Sequence, residues 1–79
     1  MQAELIKVGR AGITKVIEVG NINPLFNAEK ECRKHCMSRN IWLSETADPQ
    51  IFIVNAGMHT VGKVVFSETI TEEHLEKYQ

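Results

Sequence analysis

The chain has two cysteines, two prolines, five glycines and one tryptophan in 79 residues, with no surplus of either charge. Each scarcity closes off a class of protein. Cys32 and Cys36 stand four apart in a segment that reads as a helix, a poor start for a disulfide framework. Two thiols in a reducing compartment are the expectation. No apolar run approaches the roughly 20 residues needed to span a bilayer, so a membrane protein is not expected. The opening Met-Gln-Ala-Glu-Leu carries no basic leader ahead of an apolar core, so no signal peptide is expected and the expected setting is cytoplasmic. A net charge of −1 lacks the basic surplus of a general nucleic-acid binder. It equally lacks the acidic row of a DNA mimic. The chain shows no repeats, low-complexity tracts or linkers.

What is present is enough to fold. Leu, Ile, Val and Phe make up 22 of the 79 residues, above the under-20% level of disordered chains. The length suits one domain, residues 1–79. A chain this short buries only about 60% of the surface its unfolded form exposes, so its stability is expected to be marginal. Charge is uneven: residues 51–79 carry Lys63 and Lys77 against Glu68, Glu72, Glu73 and Glu76, making the C-terminal end the acidic pole.

Residues 3–8 read as a strand, Gly9-Arg10-Ala11-Gly12 as a tight turn, and the β-branched residues 13–19 as a second strand. Ile13, Ile17 and Val19 fall on one face of that strand, Val16 and Glu18 on the other. Asn23 is a good N-cap residue and Pro24 suits a first helical position. The spacing predicts a helix from Pro24 to about Ser38, with Leu25, Ala28, Cys32 and Cys36 forming one apolar stripe. Strands are expected over 41–45, 50–55 and 60–67, the fourth being the strongest signal. Thr71 can cap a short acidic last helix.

The order ββαβββα predicts an α+β fold: a small antiparallel β-sheet with one main helix packed on one face and a short C-terminal helix. One consequence bears on function. Ile51 and Ile53 alternate with Phe52 and Val54, and Val61 and Val65 with Val64 and Phe66, so these strands are apolar on both faces. The main helix covers one face only. The other needs the last helix, with its thin apolar side of Ile70, Leu75 and Tyr78, or a partner chain.

Several constellations invite a chemical reading. Cys32-x-x-His35-Cys36 puts three metal-ligand types on one helical face, but a structural zinc wants four, and His59 and His74 lie far along the chain. Small cysteines on a core-facing stripe are ordinary fillers. Cys36 and His35 are neighbours pointing roughly 100° apart on a helix, so no base is aimed at the thiol. No Gly-rich loop has phosphate-binding spacing. Neither an enzyme nor a metal or other cofactor is expected. The more usable feature is basic: Lys30, Arg33 and Lys34 lie together on the helix, with Arg39 near its end and Trp42 following as a candidate aromatic anchor. Glu29 and Glu31 dilute the set, and a solvated face with i,i+4 pairing is its plainer reading.

Residues 24–79 share the α-β-β-β-α order of double-stranded-RNA-binding domains. That family's lysine-rich start to the last helix is replaced here by Thr71-Glu72-Glu73-His74, which repels phosphate. A ubiquitin-like, β-grasp reading fits residues 3–38 as a fold alternative. In overall size and element order the chain resembles small single-domain proteins of phages and mobile elements, including several anti-CRISPR proteins. The stretch leading from strand two into the helix, Val19-Gly20-Asn21-Ile22-Asn23-Pro24-Leu25-Phe26-Asn27-Ala28-Glu29-Lys30, is similar to the corresponding entry into an "Ala-Glu-Lys" helix. The resemblance implies a non-enzymatic binder that occludes a working surface of a host nucleoprotein complex, with steric contact favoured over nucleic-acid mimicry. Lys30, Arg33, Lys34, Arg39 and Trp42 are the candidate contact residues. The alternative is a homodimeric structural or adaptor subunit built on the second sheet face or an edge strand.

Overall fold

The computed structural model describes residues 1–37 and 40–78. The elements run β1 (Gln2–Val8), β2 (Ile13–Glu18), α1 (Pro24–Arg33), β3 (Ile41–Glu45), β4 (Ile51–Ala56), β5 (His59–Phe66) and α2 (Glu72–Tyr78). They form one five-stranded sheet in the order β2-β1-β5-β4-β3. Every pairing is antiparallel. The α+β expectation and its ββαβββα order are therefore met.

Period-2 alternation decides which side of each strand is buried. Ala3, Leu5, Ile41, Leu43, Phe52, Val54, Val64 and Phe66 point to one face and meet Leu25, Ala28 and Cys32 of α1. Phe52 and Phe66 pack edge to face, with ring centroids 5.5 Å apart and planes at 87°, the geometry that the ring quadrupoles prefer. No buried side-chain nitrogen or oxygen lacks a hydrogen-bond partner among the described residues.

Two glycines sit where chains approach closely. Gly9, at φ 78°, turns the β1–β2 hairpin against the end of α1, and a Cβ there would stand 2.0 Å from the His35 carbonyl oxygen. Gly62 lies at a register shift in β5, where Val54 pairs with Gly62 but Asn55 with Thr60. A Cβ on Gly62 would come within 2.8 Å of Val8 Cα. The fifth strand is thus a single strand carrying a bulge, a device that bends a strand without ending it.

Helix α1 is shorter than its periodicity suggests. Pro24 occupies the first turn as expected, but the Asn23 side chain makes no capping bond; its carbonyl accepts from the Asn27 N–H at 3.0 Å. At the other end the chain tightens. The N–H groups of Lys34, His35 and Cys36 donate to the carbonyls of Glu31, Cys32 and Arg33, three residues back rather than four, which closes the helix in a 3₁₀-like turn. Cys36 consequently leaves the regular stripe and is only half-buried. The expected end at Ser38, and Arg39, lie outside the described residues.

Helix α2 does not cross to the second face of the sheet. It lies beside α1, where Leu75 and Tyr78 pack against the core. The Tyr78 hydroxyl accepts from the Leu43 N–H at 2.8 Å and donates to the Glu29 carboxylate. Both helices therefore share one side, and the other side of the sheet is left open.

Candidate functional site

The ladders define the open face residue by residue, because directly opposed residues share a side. Glu4 stands between Val16 and Val65, and Val65 beside Ile51. Ile6 stands beside Lys63, Lys63 beside Ile53, Ile53 beside Ser44, and Asn55 beside Trp42. All five strands thus contribute. Val16 is 59% exposed and Trp42 38%, while Ile6, Ile51, Ile53 and Val65 are half-buried by one another. A shallow depression of about 200 Å³ lies among Glu4, Val16, Val65 and Ser67. The apolar side chains form two groups, Val16 with Val65 and Ile51, and Ile6 with Ile53, interrupted by Glu4 and Lys63, and uncovered apolar surface rimmed by polar groups is a feature of association sites.

Polar groups stand both within the face and at its β3 end. Glu4 and Lys63 sit near its middle, on neighbouring strands and in a diagonal register. At the β3 end, Asn55 Nδ2 donates to Ser44 Oγ at 2.9 Å and to the Trp42 carbonyl at 3.4 Å. The edges are less available than the face. The outward N–H of Leu43 on β3 is occupied by Tyr78. At the opposite edge β2 carries Lys15 and Glu18, and charge is a common guard against strand addition.

The basic helix residues of the sequence are placed differently. Arg33 Nη2 pairs with Glu29 at 2.9 Å, and Lys34 Nζ with Glu31 at 3.3 Å. Glu31 also receives Lys15 Nζ at 2.7 Å and faces His35 Nε2 at 3.3 Å. The Lys15 ammonium beside it, aided by Lys34 against the opposing effect of burial, holds the Glu31 carboxyl down at about 2. Lys30 is exposed and makes no ion pair among the described residues. Trp42 is not beside this cluster. It points to the open face, while Ile41 and Leu43 on the same strand meet the helices. The expected grouping of Trp42 with the helix cations is corrected accordingly; strand parity puts them on opposite sides of the sheet. Arg39 lies outside the described residues.

The cysteine constellation does not converge. Cys32 is fully buried in the core, and its thiol is pushed up to about 12, first by burial and then by the neighbouring Cys36 and glutamates. Burial raises Cys36 as well. His35 turns to Glu31 instead of either sulfur. Among the described residues, no three His, Cys, Asp or Glu side chains are grouped to hold a metal ion, and no helix is long and apolar enough to cross a membrane.

Val16 and Ile6 were the open-face residues least visible in the sequence. Val16 showed its parity but not its neighbours, which depend on β1 lying between β2 and β5. No protein-family model, curated protein or solved structure matches the chain.

Proposed function

We propose that the protein is a non-enzymatic protein-binding module whose working surface is the open face of the sheet, and that the partner this face fits best is a second copy of the chain. The observation that carries the reading is the placement of α2: the last helix packs beside α1 and leaves Val16, Ile51, Ile53, Val65 and Trp42 uncovered.

Charge and area both favour self-association. A two-fold axis lying in the interface between Glu4 and Lys63 sets Glu4 of one copy over Lys63 of the other, twice, so the face is complementary to itself. Five strands about 4.8 Å apart and about 17 Å long cover roughly 400 Å² of flat area. Two such faces in contact remove on the order of 1,000 Å² from water, the low end for a specific interface. The dimer should therefore be weak and concentration-dependent. The non-enzymatic part rests on thiols held protonated by burial and on a histidine engaged by a carboxylate. Both cysteines are free, which suits a reducing, cytoplasmic setting.

A second reading keeps the phage-type inhibitor, with a host nucleoprotein complex as partner and α1 as the contact. Its support is the exposed trio of Lys30 and Arg33 on α1 and Lys34 at its C-cap. Sedimentation equilibrium on the wild type, Ile53→Asp and the double charge reversal Arg33→Glu/Lys34→Glu separates the two. The homodimer reading expects a wild-type dimer that Ile53→Asp dissociates and the reversal leaves intact. A wild type that stays monomeric to millimolar concentration contradicts it.

A further inference from the structure

A cleft of about 1060 Å³ opens where α1 stops, between the β1–β2 turn and the β4–β5 hairpin. Its size is just above the usual range for small-molecule sites, about 300–1,000 Å³. None of the residues that bound the open face's apolar centre contributes to it.

The lining has one charge sign. Its charged side chains are Lys7 and Arg10, and the wall also holds His59 and the apolar Val61, Ala56 and Met37. No carboxylate lines the cleft among the described residues. Cys36, which also lines it, stays a neutral thiol because burial raises it. At the end of α1 the carbonyls of Glu31, Cys32 and Arg33 accept from the N–H groups of Lys34, His35 and Cys36, which reduces the negative charge that the helix end presents to an anion. Apart from the imidazole, none of the lining residues is aromatic, so the walls suit an alkyl chain better than a stacked ring.

Lys7 adds a second, independent mark. It is the one residue other than glycine with a positive φ among those described, 51°, held by its N–H donating to Thr14 Oγ1 at 3.1 Å. Left-handed backbone at a bulky side chain is costly and concentrates at ligand sites, where it aims a side chain. Here it falls at the register shift between Leu5 and Val8, on the cleft wall.

We propose that this cleft binds a long-chain alkyl carboxylate, the chain along Val61, Ala56 and Met37 and the carboxylate met by Lys7 and Arg10. Lys7 and Arg10 are exposed and make no ion pair among the described residues, and Arg10 Nη1 donates only weakly to Met37 Sδ at 3.9 Å, so the ligand gains charge pairing at little cost.

The test is a titration of ¹⁵N-labelled full-length protein with dodecanoate below its micelle concentration, alongside dodecanol and butyrate. Saturable shifts should centre on the amides of Gly9, Val61 and Gly62. Dodecanol should bind at least tenfold more weakly, and butyrate should give no saturation. Arg10→Glu should weaken dodecanoate at least tenfold. Lys7→Gly suits the positive φ and so keeps the fold, and it should weaken binding by a similar factor. Unshifted Leu5 and Phe66 amides show that each variant is folded. Dodecanol binding as tightly as dodecanoate, absence of saturation, or shifts centred on Val16, Ile51 and Ile53 would overturn the proposal. The last outcome would place the alkyl chain on the open face instead.

Discussion

The two faces of the sheet are built from similar residues and have different fates. Both carry valines and isoleucines on the same strands, one residue out of step. The face of Leu5, Val54, Val64 and Phe66 is sealed by α1 and α2, each of these side chains being buried. The face of Ile6, Ile51, Ile53 and Val65 has no cover within the chain. The difference lies in the helices. α1 offers one apolar stripe and α2 a thin one, and both are used on the same side. Apolar patterning alone therefore does not say what a face is for; what distinguishes the two is whether the chain has spent surface to bury it.

The comparison is broken most severely from the sealed side. Phe66→Ala should cost about 3–5 kcal/mol by leaving a cavity against Phe52, a large part of the about 4–12 kcal/mol available to a domain of this size. Urea denaturation should show a mostly unfolded protein or a midpoint lowered severalfold. Next comes the α2 latch. Tyr78→Phe removes the donor to buried Glu29 and the acceptor for the Leu43 N–H, and should cost about 1–2 kcal/mol. The same variant frees the β3 edge, so it should also raise the tendency to form larger aggregates in light scattering.

Smaller is the effect of the Glu31 cluster that ties β2 to α1 through Lys15. The Glu31 carboxyl is held at about 2, below its usual 4.5. A depressed acid stabilises the folded state above the unfolded value, so this contribution is present above about pH 4.5 and is lost as pH falls toward 2. Glu31→Gln should cost about 1 kcal/mol at pH 7, given solvent screening of the partly exposed partners. Thermal melts should show that cost vanishing near pH 2. The smallest effect on the fold comes from the open face: Ile53→Ser should cost the monomer under about 1 kcal/mol, because the side chain is only half-buried there. Its effect on self-association should be large. A cost of several kcal/mol to the monomer would mean that the open face is part of the folding core after all, and the contrast between the faces would fail.

Much of this was legible beforehand, and the reason is periodicity. Alternation in residues 50–55 and 60–67, the Gly9-to-Gly12 turn and Pro24 at the helix start are local signals, and each element appears within a residue of its expected bounds, save the end of α1. At that end the chain tightens after Arg33 and Gly9 lies close against the His35 carbonyl, a contact between segments far apart in sequence that periodicity does not carry. The open face was half visible: Ile51 and Ile53 pointed away from Phe52 and Val54, but nothing local says which side α2 takes. That is settled by Tyr78 reaching Leu43 and Glu29, two partners on different elements. Lys30 and Arg33 stand on α1 with Lys34 at its C-cap, and the Arg33–Glu29 pair has the i,i+4 spacing legible in the sequence, whereas the tie of Glu31 to Lys15 and the separation of Trp42 follow from packing and strand parity.

The measurement that tests the open face most directly is an isotope-filtered nuclear Overhauser experiment on an equal mixture of labelled and unlabelled protein at millimolar concentration. The account predicts intermolecular contacts among the side chains of Ile6, Ile51, Ile53, Val65 and Trp42, and none from α1 or α2. Intermolecular contacts confined to the helices, or no contacts from a protein that is monomeric at that concentration, would contradict it.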